Sequence, residues 1–208
     1  MKKLILAAAL TVSSFALAAP WKVDSAHASA NFAVKHLAVS TVNGTLGEVT
    51  GNIDLDDKDI TKSKVTVSID VKGLNTKVQK RDDHLRSKDF FEVEKYPAIT
   101  FTSTKIEKGA GDKLKITGDL KIKEVSKSVT LDAELTPEVA NPFSKAKTRG
   151  FSGATTINRK DFGLTWNVAL ETGGVLVGDD VKITVDGEIV KEEAAPAAPA
   201  KGAPPAKK

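Results

Sequence analysis

The sequence predicts an all-β protein, an antiparallel β-barrel of about eight strands with a short helix inserted across one end. Three observations predict it. Apolar residues alternate with polar ones in stretch after stretch, which is the pattern of antiparallel strands with one face covered. The later stretches are joined by short turns, which favours an up-and-down meander, and closing such a sheet removes its edges. One connection, from about Lys72 to Ala98, is far longer than a hairpin loop and carries its own apolar residues.

Met1 to Ala18 reads as a secretory leader. Lys2 and Lys3 precede an apolar run from Leu4 to Val12, and Ala16-Leu17-Ala18 is a small-x-small cleavage site. The apolar stretch before Pro20 is shorter than the ~20 residues a spanning helix needs. The expected location is therefore the periplasm, with a mature chain starting at Ala19. Without cysteine, an oxidising compartment provides no disulfide, so the domain relies on its core.

The domain is expected over Ala19 to Val190. Ala28, Ala30, Phe32, Val34 and His36 share a strand face, and Val49, Gly51, Ile53 and Leu55 another. Val65, Val67, Ile69 and Val71 lead into the long insert; Ile99, Phe101 and Ser103 lead out. Further faces are Leu114, Ile116, Gly118, Leu120 and Ile122, then Val129, Leu131, Ala133 and Leu135. Phe151, Gly153, Thr155 and Ile157 come next, and Val181, Ile183, Val185, Gly187 and Ile189 close the set. Within the insert, Thr76-Lys77-Val78-Gln79 fits a capping box that starts a helix with Val78 and Leu85 on one face. Tyr96-Pro97 blocks helix continuation. Lys191 to Lys208, which holds four of the eight prolines and no side chain larger than Ala among its apolar residues, reads as a disordered tail.

Charge excludes one function class. The chain carries 31 Lys and Arg against 27 Asp and Glu; the leader takes two lysines, and the tail four lysines and two glutamates, leaving 25 of each sign. A nucleic-acid binder shows a basic excess on its folded body, and this domain has none. The three histidines lie far apart in sequence, and Cys is absent, so no metal site is expected; the nearest pool is His84 with Asp82, Asp83 or His36. Gly-x-Ser-x-Gly is absent, and Ser25 with His27 says little, so no catalytic residue is expected.

The inward faces mix bulky residues with Ala28, Ala30, Ala133, Gly118, Gly153 and Gly187. On pattern alone this fits either a cavity or a filled barrel whose small residues ease its taper.

Arg81-Asp82-x-His84-Leu85-Arg86-Ser87-x-Asp89-Phe90-Phe91, continuing through Tyr96-Pro97 to Ile99-Thr100-Phe101, resembles the signature of the YceI-like family. Trp21-x-Val23-Asp24-x-x-His27, Phe32-x-Val34-x-His36, Gly118-Asp119-Leu120-x-Ile122, Arg159-x-Asp161-Phe162-Gly163-Leu164 and Val177-Gly178-Asp179-x-Val181 resemble its other landmarks in order. Ala28 and Glu124 depart from it, where the family often has Ser and Gly. The resemblance implies a secreted, lipocalin-like barrel that binds an isoprenoid, quinone-like or fatty-acyl lipid. It implies no cofactor and no catalytic step, membrane contact that is at most transient, and leaves room for a homodimer.

On that basis the expected ligand-binding residues are Ala30, Phe32, Val34, His36, Arg81, His84, Phe90, Phe91, Phe101, Ile116, Leu131 and Trp166. Arg81 and His84 have two readings: they fasten the helix to the rim, together with Arg159 and Asp161, or they meet a lipid headgroup. Phe162 and Trp166 either line the pocket or anchor their segment. Two other functions remain open from sequence: a solid barrel acting as a stress-related interaction protein through its tail, and an enzyme using His84 and nearby carboxylates.

Overall fold

A computed structural model of the chain describes residues 20–171 and 173–192. The expected leader and all but the start of the expected tail lie outside the described residues.

The strands are β1 (Trp21–His36), β2 (Ser40–Gly47), β3 (Val49–Asp54), β4 (Lys64–Asp70), β5 (Ala98–Lys108), β6 (Lys113–Ile122), β7 (Val125–Leu135), β8 (Val139–Ala140), β9 (Lys147–Asn158) and β10 (Val177–Lys191). One helix, α1 (Gln79–Arg86), lies between β4 and β5. Every pairing is antiparallel. The ring runs β1-β3-β4-β5-β6-β7-β9-β10 and closes where β10 pairs β1, giving an eight-strand barrel. β2 extends the wall beyond β3 by pairing with the distal half of β1, and β8 is a two-residue strand against β9.

β1 is longer than its alternation suggested. A bulge between Asp24 and Ser29 interrupts the period, so the Trp21-to-Asp24 half reads as a separate piece in the sequence. β2 carries Asn43-Gly44, a sequence that reads as a turn. Here Gly44 lies mid-strand opposite Phe32, and a Cβ on it would sit 2.6 Å from the Phe32 ring. The glycine makes room for an aromatic side chain across the strand. Between β2 and β3, Gly47 adopts φ +135, with the Asp70 carbonyl where a Cβ would be.

The start of α1 differs from expectation. Val78 is the N-cap residue and makes no side-chain cap bond; it is exposed, not paired with Leu85. Thr76 lies too far upstream to cap. Its hydroxyl donates to Asp82 Oδ1 (2.5 Å) and accepts from Arg81 Nε (2.7 Å), and its backbone N–H donates to the same Asp82 oxygen at 2.8 Å. Asp82 is buried because this carboxylate is the acceptor that organises the turn. The helix ends at Arg86 with Ser87 as C-cap, well before Tyr96-Pro97.

β10 continues to Lys191, and the Glu192 N–H donates to the Pro20 carbonyl, so the barrel extends slightly past Val190. The end away from α1 is packed by Trp21, Ile53, Leu55 and Ile189. The main core gathers Ala30, Val49, Ile69, Leu74, Phe90, Ile99, Leu120 and Phe162 with their neighbours.

Candidate ligand-binding site

Three sets of hydrogen bonds fasten α1 and its flanks over the barrel. Arg86 Nε donates to the Lys72 carbonyl at 3.0 Å, and its Nη2 donates to the Leu74 carbonyl. Arg81 Nη2 donates to the Thr76 carbonyl at 2.9 Å. His84 Nε2 lies 2.9 Å from Asp89 Oδ2. The ring of His84 also stands edge-on to Phe90 (centroids 5.1 Å apart) and to Trp166 (4.6 Å), and Phe90 lies 5.3 Å from Trp166. This aromatic cluster ties the helix to the segment after β9, in arrangements that aromatic quadrupoles favour.

That segment is pinned by Arg159. Its side chain is almost fully buried, and it donates to the carbonyls of Gly178 (2.9 Å), Leu164, Trp166 (2.9 Å) and Val177 (3.3 Å). Asp179 lies 3.5 Å away. Arg159 and Asp161, expected as partners for the charges of α1, are not among the partners that Arg81, His84 and Arg86 take. Burial pushes the Arg159 guanidinium below its ordinary range, and Asp179 opposes that shift. Gly163 caps the short 3₁₀ turn Arg159–Phe162 in the left-handed region, φ 75.

Under α1 is an apolar cavity of about 250 Å³. Phe32, Val34, His36, Arg81, His84, Phe90, Phe91 and Trp166 all line it. Phe101, Ile116 and Leu131 line a second apolar cavity, of about 140 Å³, towards the other end of the barrel. Ile183 lines both, so it stands at the partition. The residues expected to share one pocket thus divide between two chambers. Ala30 lines neither. It is fully buried in the core, opposite Val185 and Gly47. Ala28 is also away from both linings, packed over Gly187 in the β1 bulge. Of the two aromatics after Arg159, Phe162 is core and Trp166 is lining.

Sequence reasoning missed part of the wall. Val42 and Leu46 belong to the uncalled β2, and Leu176 comes from a loop without periodicity. Ile157, Val181 and Ile183 were visible, being on faces the alternation had marked.

The side chains around His84 that came nearest to a metal-ligand pool in the sequence turn to other partners, Asp82 to Thr76 and His84 to Asp89. Ligating atoms gather instead at the β1 bulge, where Asp24, His27 and Glu188 bring theirs within 4.8 Å of one another. His27 Nδ1 lies 2.8 Å from Asp24 Oδ2. That hydrogen bond first, and the charge of Asp24 second, raise the His27 pKa above its ordinary 6.5. The same bond is the main cause holding Asp24 below 3.8.

The model of the YceI-like domain matches residues 21–189. The chain belongs to the YceI-like family. A UPF0312 protein of Staphylococcus aureus strain MSSA476 is 37% identical over 165 residues, covering 79% of this chain and 94% of that protein. The YceI-like fold recurs in a Campylobacter jejuni YCEI protein that crystallises with large solvent channels (TM-score 0.64, 32% identity, covering 93% of this chain and 100% of that one). Burkholderia cenocepacia BcnA shares the fold at TM-score 0.67 and 24% identity, with 82% of this chain and 99% of that one covered. So does a polyisoprenoid binding domain from Saccharophagus degradans, at TM-score 0.60 and 13% identity, covering 83% of this chain and 98% of that one.

Proposed function

We propose that this YceI-like barrel is a binding protein, without a catalytic step, that holds a long apolar molecule and carries or sequesters it in the periplasm after its leader is removed. The ligand class is an isoprenoid, quinone-like or fatty-acyl chain. The observation that carries this reading is the pair of apolar chambers lying one after the other and meeting at Ile183. Two consecutive chambers suit a chain better than a compact ligand. Each methylene moved from water into them contributes roughly 0.8 kcal/mol. The chamber under the helix, about 250 Å³, is small for a long chain. A longer chain has to pass Ile183 into the second chamber or leave through the mouth. The Saccharophagus degradans domain, described as polyisoprenoid-binding, has the same fold, which adds support for an isoprenoid.

The test is gentle purification of the exported protein followed by native mass spectrometry. A reproducible adduct with the mass of a lipid is expected, on a chain whose mature mass starts at Ala19. Titration of the stripped protein with the fluorescent fatty acid cis-parinaric acid should saturate and be reversed by the recovered lipid. A protein that leaves the periplasm bare and also fails to bind the probe would overturn the reading.

A further inference from the structure

The turn between β1 and β2 is made of the wrong residues for a solvated hairpin. His36, Leu37, Ala38 and Val39 close it, with the Val39 N–H donating to the His36 carbonyl at 3.2 Å. Leu37 and Ala38 both adopt left-handed backbone, φ 54 and φ 59. Such positions favour Gly, Asn or Asp, because a Cβ crowds the following carbonyl there. The tip is nevertheless entirely apolar, and Val39 is 82% exposed. A strained turn that also exposes aliphatic side chains serves neither stability nor solubility, which makes it a candidate for function.

The tip has company. The Leu37 N–H donates to the Leu176 carbonyl at 2.8 Å, and the Leu176 N–H to the Val168 carbonyl at 2.9 Å. Val168 and Val175, close to this junction, are 46% and 40% exposed. Leu37, Val39, Val168 and Val175 therefore form an apolar rim from two loops. The rim is continuous with the mouth of the chamber under α1, because His36 and Leu176 line that chamber. The ionisable side chains of the chamber lining are Lys35, His36, Arg81, His84 and Arg159, without an Asp or Glu among the described residues. Asp89 beside His84, Asp179 beside Arg159 and Glu171 in the Val168–Val175 loop are the acids close by.

We propose that this rim docks on the surface of a lipid bilayer bearing anionic headgroups, with Leu37 and Val39 entering the acyl boundary. Lys35, exposed, and Arg81, half-buried, are the cations at the mouth that can meet the headgroups, and the separate aliphatic side chains of two loops suit a deformable partner. The docked mouth would open towards the phase in which a long apolar molecule resides, so its transfer avoids water; this part rests on the proposed ligand class.

The experiment is flotation of the full exported protein with vesicles of phosphatidylethanolamine and phosphatidylglycerol. The wild type is expected to float. Val39→Ser should lower the bound fraction, and Leu37→Asn with Ala38→Gly, added to it, should lower it by about tenfold or more. The Asn-Gly pair is preferred in this turn, so that variant should also melt at an unchanged or higher temperature. Phe143→Ser, which alters the β8–β9 turn, should float like the wild type. A wild type that stays at the bottom of the gradient, or rim variants that float undiminished, would refute the proposal. So would sedimentation showing that Val39→Ser splits a dimer while vesicles are never bound, since the rim would then cover a second copy. Binding of cis-parinaric acid from solution should survive the rim variants. Its absence alongside intact flotation would remove the cargo and leave the docking surface standing.

Discussion

Arg159 carries its charge into the barrel wall and meets it mostly with carbonyl oxygens. Removing that side chain leaves several acceptors buried without donors, each worth roughly 1–3 kcal/mol. Arg159→Ala should therefore destabilise the fold by ~3 kcal/mol or more, measured by denaturant melts. Ala30 makes a second test. On the sequence pattern alone, a ring at this position either fills a pocket or overpacks a core. Its full burial outside both chambers decides for overpacking, and Ala30→Phe should cost ~1–3 kcal/mol in a thermal melt, with ligand lost only through unfolding. His27 supplies a pH signature. Its pKa is raised in the fold, so its stabilising contribution is complete below 6.5 and is lost as pH rises through the folded value. Asp24 is lowered, so its contribution is present above 3.8 and is lost as pH falls through its folded value. An NMR titration should place the His27 midpoint above 6.5, and Asp24→Asn should return it towards 6.5; a His27 midpoint at or below 6.5 would contradict the pairing.

At the scale of elements, α1 is a short helix held by its surroundings. Eight residues are marginal in isolation. Arg86 clamps it to the Lys72 and Leu74 carbonyls, and Asp82 with Thr76 fixes its first turn. Its N-cap is vacant, because Val78 has no side-chain acceptor to offer. Val78→Asp places one beside the free N–H groups of the first turn and should stabilise the protein by ~1 kcal/mol. If the melting temperature does not rise, or falls, the exposed N-cap geometry is wrong. The helix was legible from the long insert and its Leu85, but its true start was not. A capping box needs the Thr hydroxyl three residues ahead of its partner N–H, and here a buried carboxylate six residues on took that hydroxyl instead.

For the molecule as a whole, Ile183 is the residue on which ligand length turns. Ile183→Ala should join the two chambers and shift the preferred chain towards longer homologues, at a stability cost of ~2–5 kcal/mol. Ile183→Phe should close the partition and shift the preference to shorter ones. A displacement series of saturated fatty acids of increasing length reads both changes. If the two variants keep the wild-type length preference, the chambers do not act in series.

Alternation along the chain was enough to determine an antiparallel barrel, its approximate strand number and the inward faces of Phe32, Val34, Phe101, Ile116 and Leu131, because strand periodicity is a local property that each segment carries in its own residues. The ordered motifs also identified the family. Only the tertiary structure divided those inward residues between two chambers, buried Ala30 in solid core, and brought Arg159 to the carbonyls of Leu164 and Trp166. It also set Gly44 mid-strand opposite Phe32, where the missing side chain leaves space for the ring. These outcomes depend on which strand lies opposite and at what register, and on which buried polar group finds which partner. Neither is encoded within a single segment; both are set when the ring closes and every inward side chain competes for the same limited volume.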